Sequence, residues 1–426
     1  MYDWANSAFV TTVITLFLGP WLTSLAKEAA ATDGSVGFLG FRVVPQAVWP
    51  YSVSLSVLTQ VFALPLLGAI ADYASRKREM LAALAWAGAA ATMAMYFLKD
   101  DRYALGVALF LFSNFAFGAS IVVYNAFLPE IAGPDERDGV SSRGWGLGYL
   151  GGGLLLLLNL VMYSNYERIG ITEEFAVRFS LFSAGAWWAV FTFIPIIWLR
   201  NRAPSKRPPP GVNYVTAGLR QLVHTARDVR RYPQAVIFLV AYLFYNDGIQ
   251  TVITMASQFG QEELKLGMQA LTAAILLAQF VAFFGALAFS ALAGWMGNRN
   301  AVMLGLLLWC GLLFYAWLGV RGETGFYALA GAAGTVMGGT QALSRSVFSF
   351  MIPKGREAEY FSIYEISDKG TSWLGPLLVG LALEWTGNFR IAILSLILFF
   401  LIGLAFLARV NVRQAAIEAG NEPPAK

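Results

Sequence analysis

The sequence predicts an all-α membrane protein with twelve transmembrane helices in two six-helix lobes. Three observations carry that expectation. First, 57% of the residues are hydrophobic and only 13% charged, about half the charge of a soluble domain, and the mean hydropathy is +0.58. Second, apolar stretches of about 20 residues, each long enough to cross a bilayer, recur about twelve times with short connections. Third, one long polar and basic connector near the middle divides six stretches from six.

The stretches lie near residues 4–26, 47–73, 79–98, 103–128, 143–164 and 178–199. They resume near 234–258, 268–294, 300–319, 325–349, 358–384 and 390–409. Short connections make consecutive helices antiparallel neighbours. The expected organisation is an N-terminal lobe over 1–199, a cytoplasmic linker over 200–233, a C-terminal lobe over 234–409 and a cytoplasmic tail over 410–426. The linker opens with Pro208-Pro209-Pro210. Its second half places Val215, Leu219, Leu222, Val223 and Ala226 at helical spacing, with arginines elsewhere, which predicts an amphipathic helix on the membrane surface. The first stretch is long and lacks a basic leader, so it reads as a span and not as a cleavable signal. The chain enters it at once, which leaves room for a few residues before Met1.

Orientation follows from the basic residues. With an inner N-terminus, the cytoplasmic segments hold roughly twice the Lys and Arg of the outer loops. Both termini are therefore expected in the cytoplasm. Compact loops and the lack of any Asn-x-Ser/Thr sequon favour a bacterial inner membrane. One cysteine, Cys310, excludes an internal disulfide, and one histidine, His224, excludes a His-rich metal site or relay. An enzyme would need a nucleophile with a base, or metal ligands, at a membrane face, and this composition argues against one. No cofactor is expected. Gly151-Gly152-Gly153 and Gly338-Gly339 neither follow a strand nor precede Lys-Ser/Thr, so they read as packing surfaces and not as phosphate loops.

The polar residues within the spans are the candidate site, because an ionisable group at the bilayer centre costs at least about 2.5–3.5 kcal/mol and must face protein or water. Ser362 to Pro376 carries Glu365, Asp368 and Lys369 in an otherwise apolar stretch, and Glu365 and Lys369 are one helical turn apart. Lys369 is equally suited to binding a solute carboxylate and to neutralising those acids. Asp247 falls near mid-membrane in the seventh span. Tyr245-Asn246-Asp247-Gly248 there predicts a locally broken helix, since glycine follows two poor helix formers. Asp3, Asp247, Glu365 and Asp368 are the candidate ion-coupling acids. Asp3 has a simpler reading as the cap of the first helix. Candidate solute-binding residues are Asn6, Tyr124, Asn125, Tyr149, Tyr245, Asn246, Gln250, Gln341, Tyr364 and Lys369. Gln279 and Asn114 are further polar candidates. Interhelical hydrogen bonding is the bland alternative for each.

Gly68-Ala-Ile-Ala-Asp72-Tyr-Ala-Ser-Arg76-Lys77 resembles the signature loop of the major facilitator superfamily, with Tyr73 where a base is usual and Ser75 where glycine is usual. Asp72, Arg76 and Arg345, near inner helix ends, are candidate gating residues. The equivalent loop of the second half, Gly294-Trp-Met-Gly297-Asn-Arg299, lacks the acid. Tyr2-Asp3-Trp4-Ala5-Asn6-Ser7-Ala8-Phe9, Tyr124-Asn125-Ala126-Phe127-Leu128-Pro129, Gly148-Tyr149-Leu150-Gly151-Gly152, Tyr245-Asn246-Asp247-Gly248 and Lys369 with Gly375-Pro376 together carry a narrower resemblance. They are similar to the branch containing the fungal autophagy-related vacuolar amino-acid effluxers and their bacterial relatives.

The resemblance implies the major facilitator fold and a monomeric secondary transporter. It implies a small polar or zwitterionic, amino-acid-like solute moved by alternating access between the two lobes. Intramembrane carboxylates suit proton coupling. The expected partners are a small-molecule solute, the lipid bilayer and protons, with no nucleic acid. Export of peptides, drugs or other metabolites, and a non-transporting sensor, remain alternatives.

Overall fold

The computed structural model describes residues 1–73, 76–125, 127, 137–201, 227, 231–352, 364 and 372–421. At 65–66, 68–73, 137–143 and 145–146 it describes the backbone alone. The chain divides into two compact units, Met1–Gln221 with Ala256–Gln258, and Leu222–Met255 with Phe259–Lys426.

In the first unit, α1 spans Tyr2–Glu28. Its middle, Phe9–Phe17, is π-helical, a rare geometry that clusters at functional sites. A connection follows, with a hairpin of β1 (Val36–Phe38) and β2 (Phe41–Val43). Val36 pairs with Val43 and Phe38 with Phe41. The two-residue turn, Leu39-Gly40, has positive φ at both positions, which matches the twist of such a hairpin. Gly40 adopts this freely, whereas Leu39 does so against its steric preference. The Tyr103 hydroxyl donates to the Gly37 carbonyl at 2.7 Å and pins the hairpin to the start of the fourth span.

The remaining helices of this unit are α2 (Val48–Tyr73), α3 (Lys77–Ala94), α4 (Tyr103–Asn125), α5 (Arg137–Ser164) and α6 (Glu173–Trp198). Thr172 caps α6, its hydroxyl accepting from the Phe175 amide at 3.1 Å, as a helix N-terminus with four free amides requires. Asn201 ties the end of α6 to the start of α3. Its amide donates to Glu79 at 2.7 Å and its carbonyl accepts from the Arg78 backbone amide at 2.9 Å. The core is aromatic: Trp49, Trp188, Tyr2, Phe9, Phe17 and Phe110 are all fully enclosed.

The second unit contains α7 (Pro233–Glu262), α8 (Met268–Met296), α9 (Asn298–Leu318), α10 (Gly322–Ser349) and α11 (Leu374–Thr386). It ends with α12 (Phe389–Leu407), interrupted for one residue at Leu396, and a short tail helix, α13 (Val412–Glu418). α8 and α10 approach closely because Gly334 and Gly338 face the backbone of Ala278 and Ala282. Gly151 similarly faces the Trp4 backbone, so both glycine runs are packing surfaces.

Two arginines staple α9 and α12 at both ends. Arg299, in the first turn of α9, donates to the carbonyls of Leu407 and Ala408 at 3.1 and 2.6 Å. Arg390, in the first turn of α12, donates to Ala316, Trp317 and Val320 at 2.9, 3.2 and 3.0 Å, and to Glu263 at 2.6 Å. Each cation thus donates to carbonyls at the partner helix's C-terminus, where the helix dipole also favours it. The tail is held as well. The Asn421 amide donates to Phe350 and Ile352 at 3.0 and 2.7 Å, and Ala415 and Ala416 are buried.

Ten helices among the described residues are long and apolar enough to cross a membrane. α10 is equally long but diluted with Gly, Ser and Thr. α11 is the described second half of the eleventh expected span. The fold is the expected all-helical membrane architecture. The connector stretch 215–226, expected as an amphipathic helix, lies outside the described residues.

Candidate functional site

In the second unit the polar residues converge on α7. The expected break at Tyr245-Asn246-Asp247-Gly248 is not there, because α7 runs as one helix of 30 residues through it. Gly248 serves packing instead: a Cβ there would meet the Phe400 ring of α12 at 3.0 Å. Asp247 sits midway along α7 with no exposed surface. Both of its carboxylate oxygens accept from the Gly375 amide, at 3.2 and 3.0 Å, and the Thr251 hydroxyl donates to it at 3.3 Å.

Gly375 is in the first turn of α11, where amides lack intrahelical acceptors, and Pro376 after it has none to offer. Asp247 therefore closes the start of α11, with its charge toward the positive end of the helix dipole. The glycine is obligatory, since any Cβ at 375 would collide with Thr251 and lie 2.8 Å from Asp247. Among the described residues the partners of Asp247 are a backbone amide and a hydroxyl, both neutral. Glu365, Asp368 and Lys369 lie outside the described residues.

Elsewhere along α7, Tyr245 is enclosed and its hydroxyl is 2.6 Å from Ser344, which in turn donates to the Thr340 carbonyl. Tyr242 stacks on Tyr364 at 4.2 Å, and Tyr364 on Phe348 at 5.3 Å. Asn246 is buried. Gln250 and Gln341 are half-buried, and Arg345 is exposed.

In the first unit the constellation centres on Asp3, which does not cap its own helix. It accepts a hydrogen bond from the Tyr124 hydroxyl of α4 at 2.7 Å. Tyr2 beside it donates to Ser120 at 2.6 Å and accepts from Trp188 at 3.3 Å, and the rings of Tyr2 and Tyr124 lie 5.0 Å apart. α5 closes over Asp3 with glycines: a Cβ at Gly144 would fall 2.7 Å from the Asp3 carboxylate, and one at Gly148 2.7 Å from the Ser7 hydroxyl. Asn6, one turn beyond Asp3, is 4% exposed and its amide nitrogen has no partner among the described residues. Thr12 in the π-helical segment is likewise buried, its hydroxyl without a partner among the described residues.

Asn114 is satisfied across the unit by Ser56 at 2.7 Å. Asn125 and Tyr149 are exposed, and the Asp72 side chain lies outside the described residues. Arg76 is exposed just before α3. The structure thus gathers Asp3, Asn6 and Tyr124 in one unit and Tyr245, Asn246, Asp247 and Tyr364 in the other. Sequence reasoning missed Thr251, and it singled out Gly375 only as part of a motif and not as the partner of Asp247. The threonine had a signal, a hydroxyl one turn from a buried acid, whereas a backbone amide has none.

A family model described as "Vacuole effluxer Atg22 like" matches residues 1–420. An uncharacterized MFS-type transporter of Bacillus subtilis, YxiO, is 31% identical, with 96% of this chain and 93% of that protein covered. Autophagy-related protein 22 of Yarrowia lipolytica is 27% identical, with 90% and 79% covered. Among solved structures, a variant of the nucleoside transporter NupG superposes with a TM-score of 0.67 at 14% identity, covering 96% and 97%. A bacterial homologue of the human lysosomal transporter Spinster, inward-facing and unoccupied, gives 0.64 at 13% identity, covering 100% and 98%. At such identities these two likenesses speak for the fold alone.

Proposed function

The chain belongs to the Atg22-like family of major facilitator transporters, an integral membrane carrier and not an enzyme, and we propose that it moves a small zwitterionic, amino-acid-like solute by alternating access, with Asp247 carrying a coupled proton. The observation that supports this reading most is the setting of Asp247: fully buried, midway along α7, held by an amide and a hydroxyl, and facing no cation among the described residues. An intramembrane acid so placed is a functional group by default, and proton relay is among the roles such acids serve. Its ligands also make it a hinge point, because protonation removes the charge that closes the start of α11. A bacterial cytoplasmic membrane with both termini inside, the linker at 200–233 and the tail at 410–426 complete the proposal.

The test is uptake by proteoliposomes of a panel of radiolabelled amino acids under an imposed pH gradient. The wild type is expected to accumulate at least one of them against its gradient. Asp247→Asn keeps a hydrogen-bond acceptor for Gly375 but cannot titrate. It is expected to equilibrate the same solute without accumulating it. Gradient-driven accumulation by Asp247→Asn at the wild-type level would refute the proton role, and failure of the wild type to move any amino acid would refute the solute class.

A further inference from the structure

We propose that Asp3, Tyr124 and Asn6 form a subsite in the first unit for the α-amino-acid end of the solute, Asp3 and Tyr124 receiving the ammonium group and Asn6 donating to a carboxylate oxygen. The inference rests on the solute class proposed above and names the groups that recognise it.

Four observations lead there. Asp3 is half-buried, yet among the described residues its one hydrogen-bond partner is neutral and no cation lies within ion-pair distance of it. A carboxylate partly withdrawn from water gains from a counter-ion. A structural tie between α1 and α4 needs only an acceptor, so the charge itself calls for a cationic ligand. The Tyr124 hydroxyl spends its proton on one carboxylate oxygen, Oδ2. This leaves its own lone pairs and the other carboxylate oxygen as acceptors for N–H donors.

Asn6 supplies the opposite polarity. It is one turn along the same face of α1, about 5–6 Å from Asp3 at the Cβ atoms, and its buried amide nitrogen has no acceptor among the described residues. Burying such a donor unpaired costs about 1–3 kcal/mol, which a bound carboxylate oxygen would recover. An acceptor pair and a lone donor at that spacing match the adjacent ammonium and carboxylate of an α-amino acid. Lastly, α5 presents Gly144 and Gly148 over Asp3, where a side chain would reach the carboxylate and Ser7.

The experiment is a thermal-shift screen of the purified full chain in lipid nanodiscs with the free L-amino acids. Those that stabilise are then compared with their N-acetyl derivatives and with the corresponding decarboxylated amines. N-acetylation is expected to abolish stabilisation. Asp3→Asn, which keeps the acceptor for Tyr124, is expected to weaken the free amino acid at least tenfold, and Tyr124→Phe several-fold. Asn6→Ala is expected to weaken the free amino acid several-fold while leaving the decarboxylated amine unchanged. Unliganded melting curves report folding, and Tyr124→Phe stands in if Asp3→Asn does not fold. An amino acid that binds wild type and both the Asp3→Asn and Tyr124→Phe variants equally, or binds as well when N-acetylated, overturns the subsite and leaves the solute class standing. If no free amino acid stabilises the wild type, the solute class and the subsite fall together.

Discussion

Arg390→Ala removes a guanidinium that makes four hydrogen bonds where α12 begins and α9 ends. The ion pair with Glu263 is partly exposed, its side chains 21% and 26% accessible, and contributes about 0.5–1 kcal/mol. The carbonyls of Ala316 and Val320 each gain about 1 kcal/mol from a charged donor that shields them. The cation at the C-terminus of α9 adds about 0.5 kcal/mol through the helix dipole. The loss comes to about 3 kcal/mol, and for a unit of this size each kcal/mol lowers Tm by roughly 2–4 °C. The expected fall is therefore about 6–12 °C, read by the melting of intrinsic tryptophan fluorescence in detergent. Arg390→Lys retains the charge but not the planar fork, and about half the loss is expected. A melt for Arg390→Ala within 2 °C of wild type would refute the reasoning, and so would an Arg390→Lys protein as stable as wild type.

Four further outcomes are expected. Tyr245→Phe loses the bond to Ser344, which keeps its own bond to Thr340, so calorimetry should show a loss of about 1 kcal/mol. Gly151→Leu drives a side chain into the Trp4 backbone, only 2.6 Å from where its Cβ would begin, and size-exclusion chromatography should show loss of monodisperse protein. A cysteine replacing Ser205, in a Cys310→Ser background, should be labelled by a membrane-impermeant maleimide from the cytoplasmic side alone. The Ser35 amide and hydroxyl hold the exposed Asp33 carboxyl below its ordinary value. The turn's stabilisation is therefore complete above an aspartate's usual pKa of about 3.9 and is lost as pH falls through the lowered one. The Ser35 amide resonance should report that transition below pH 4.

Much of the fold was legible because a bilayer imposes a local rule: each crossing needs its own apolar run, and α1 to α9 and α12 announce themselves that way. The glycine runs were legible for a related reason, since small residues at helical spacing are what let helices touch. Asp247 could be singled out as a buried acid, but not its partner. Sequence proximity points to charged side chains, whereas the group that satisfies Asp247 is the Gly375 amide, 128 residues away, and main-chain donors leave no trace in composition. The continuity of α7 through Gly248 was misjudged because local propensity yields to packing, here against Phe400 of α12. The π-helical stretch of α1 and the Leu39-Gly40 turn were illegible, as their threonines, valines and leucine carry no code for either geometry.

The pairing of Arg299 and Arg390 has a consequence for how motion in the second unit is measured. Helices joined at one end pivot, whereas helices fastened at both ends travel as a single beam. Spin labels on the lipid-facing sides of α9 and α12, at Leu307 and Leu398, both exposed, should keep a constant separation whatever state the carrier is trapped in. That pair is a built-in ruler, and any label elsewhere in the unit whose distance to it changes reports a rearrangement of its own helix.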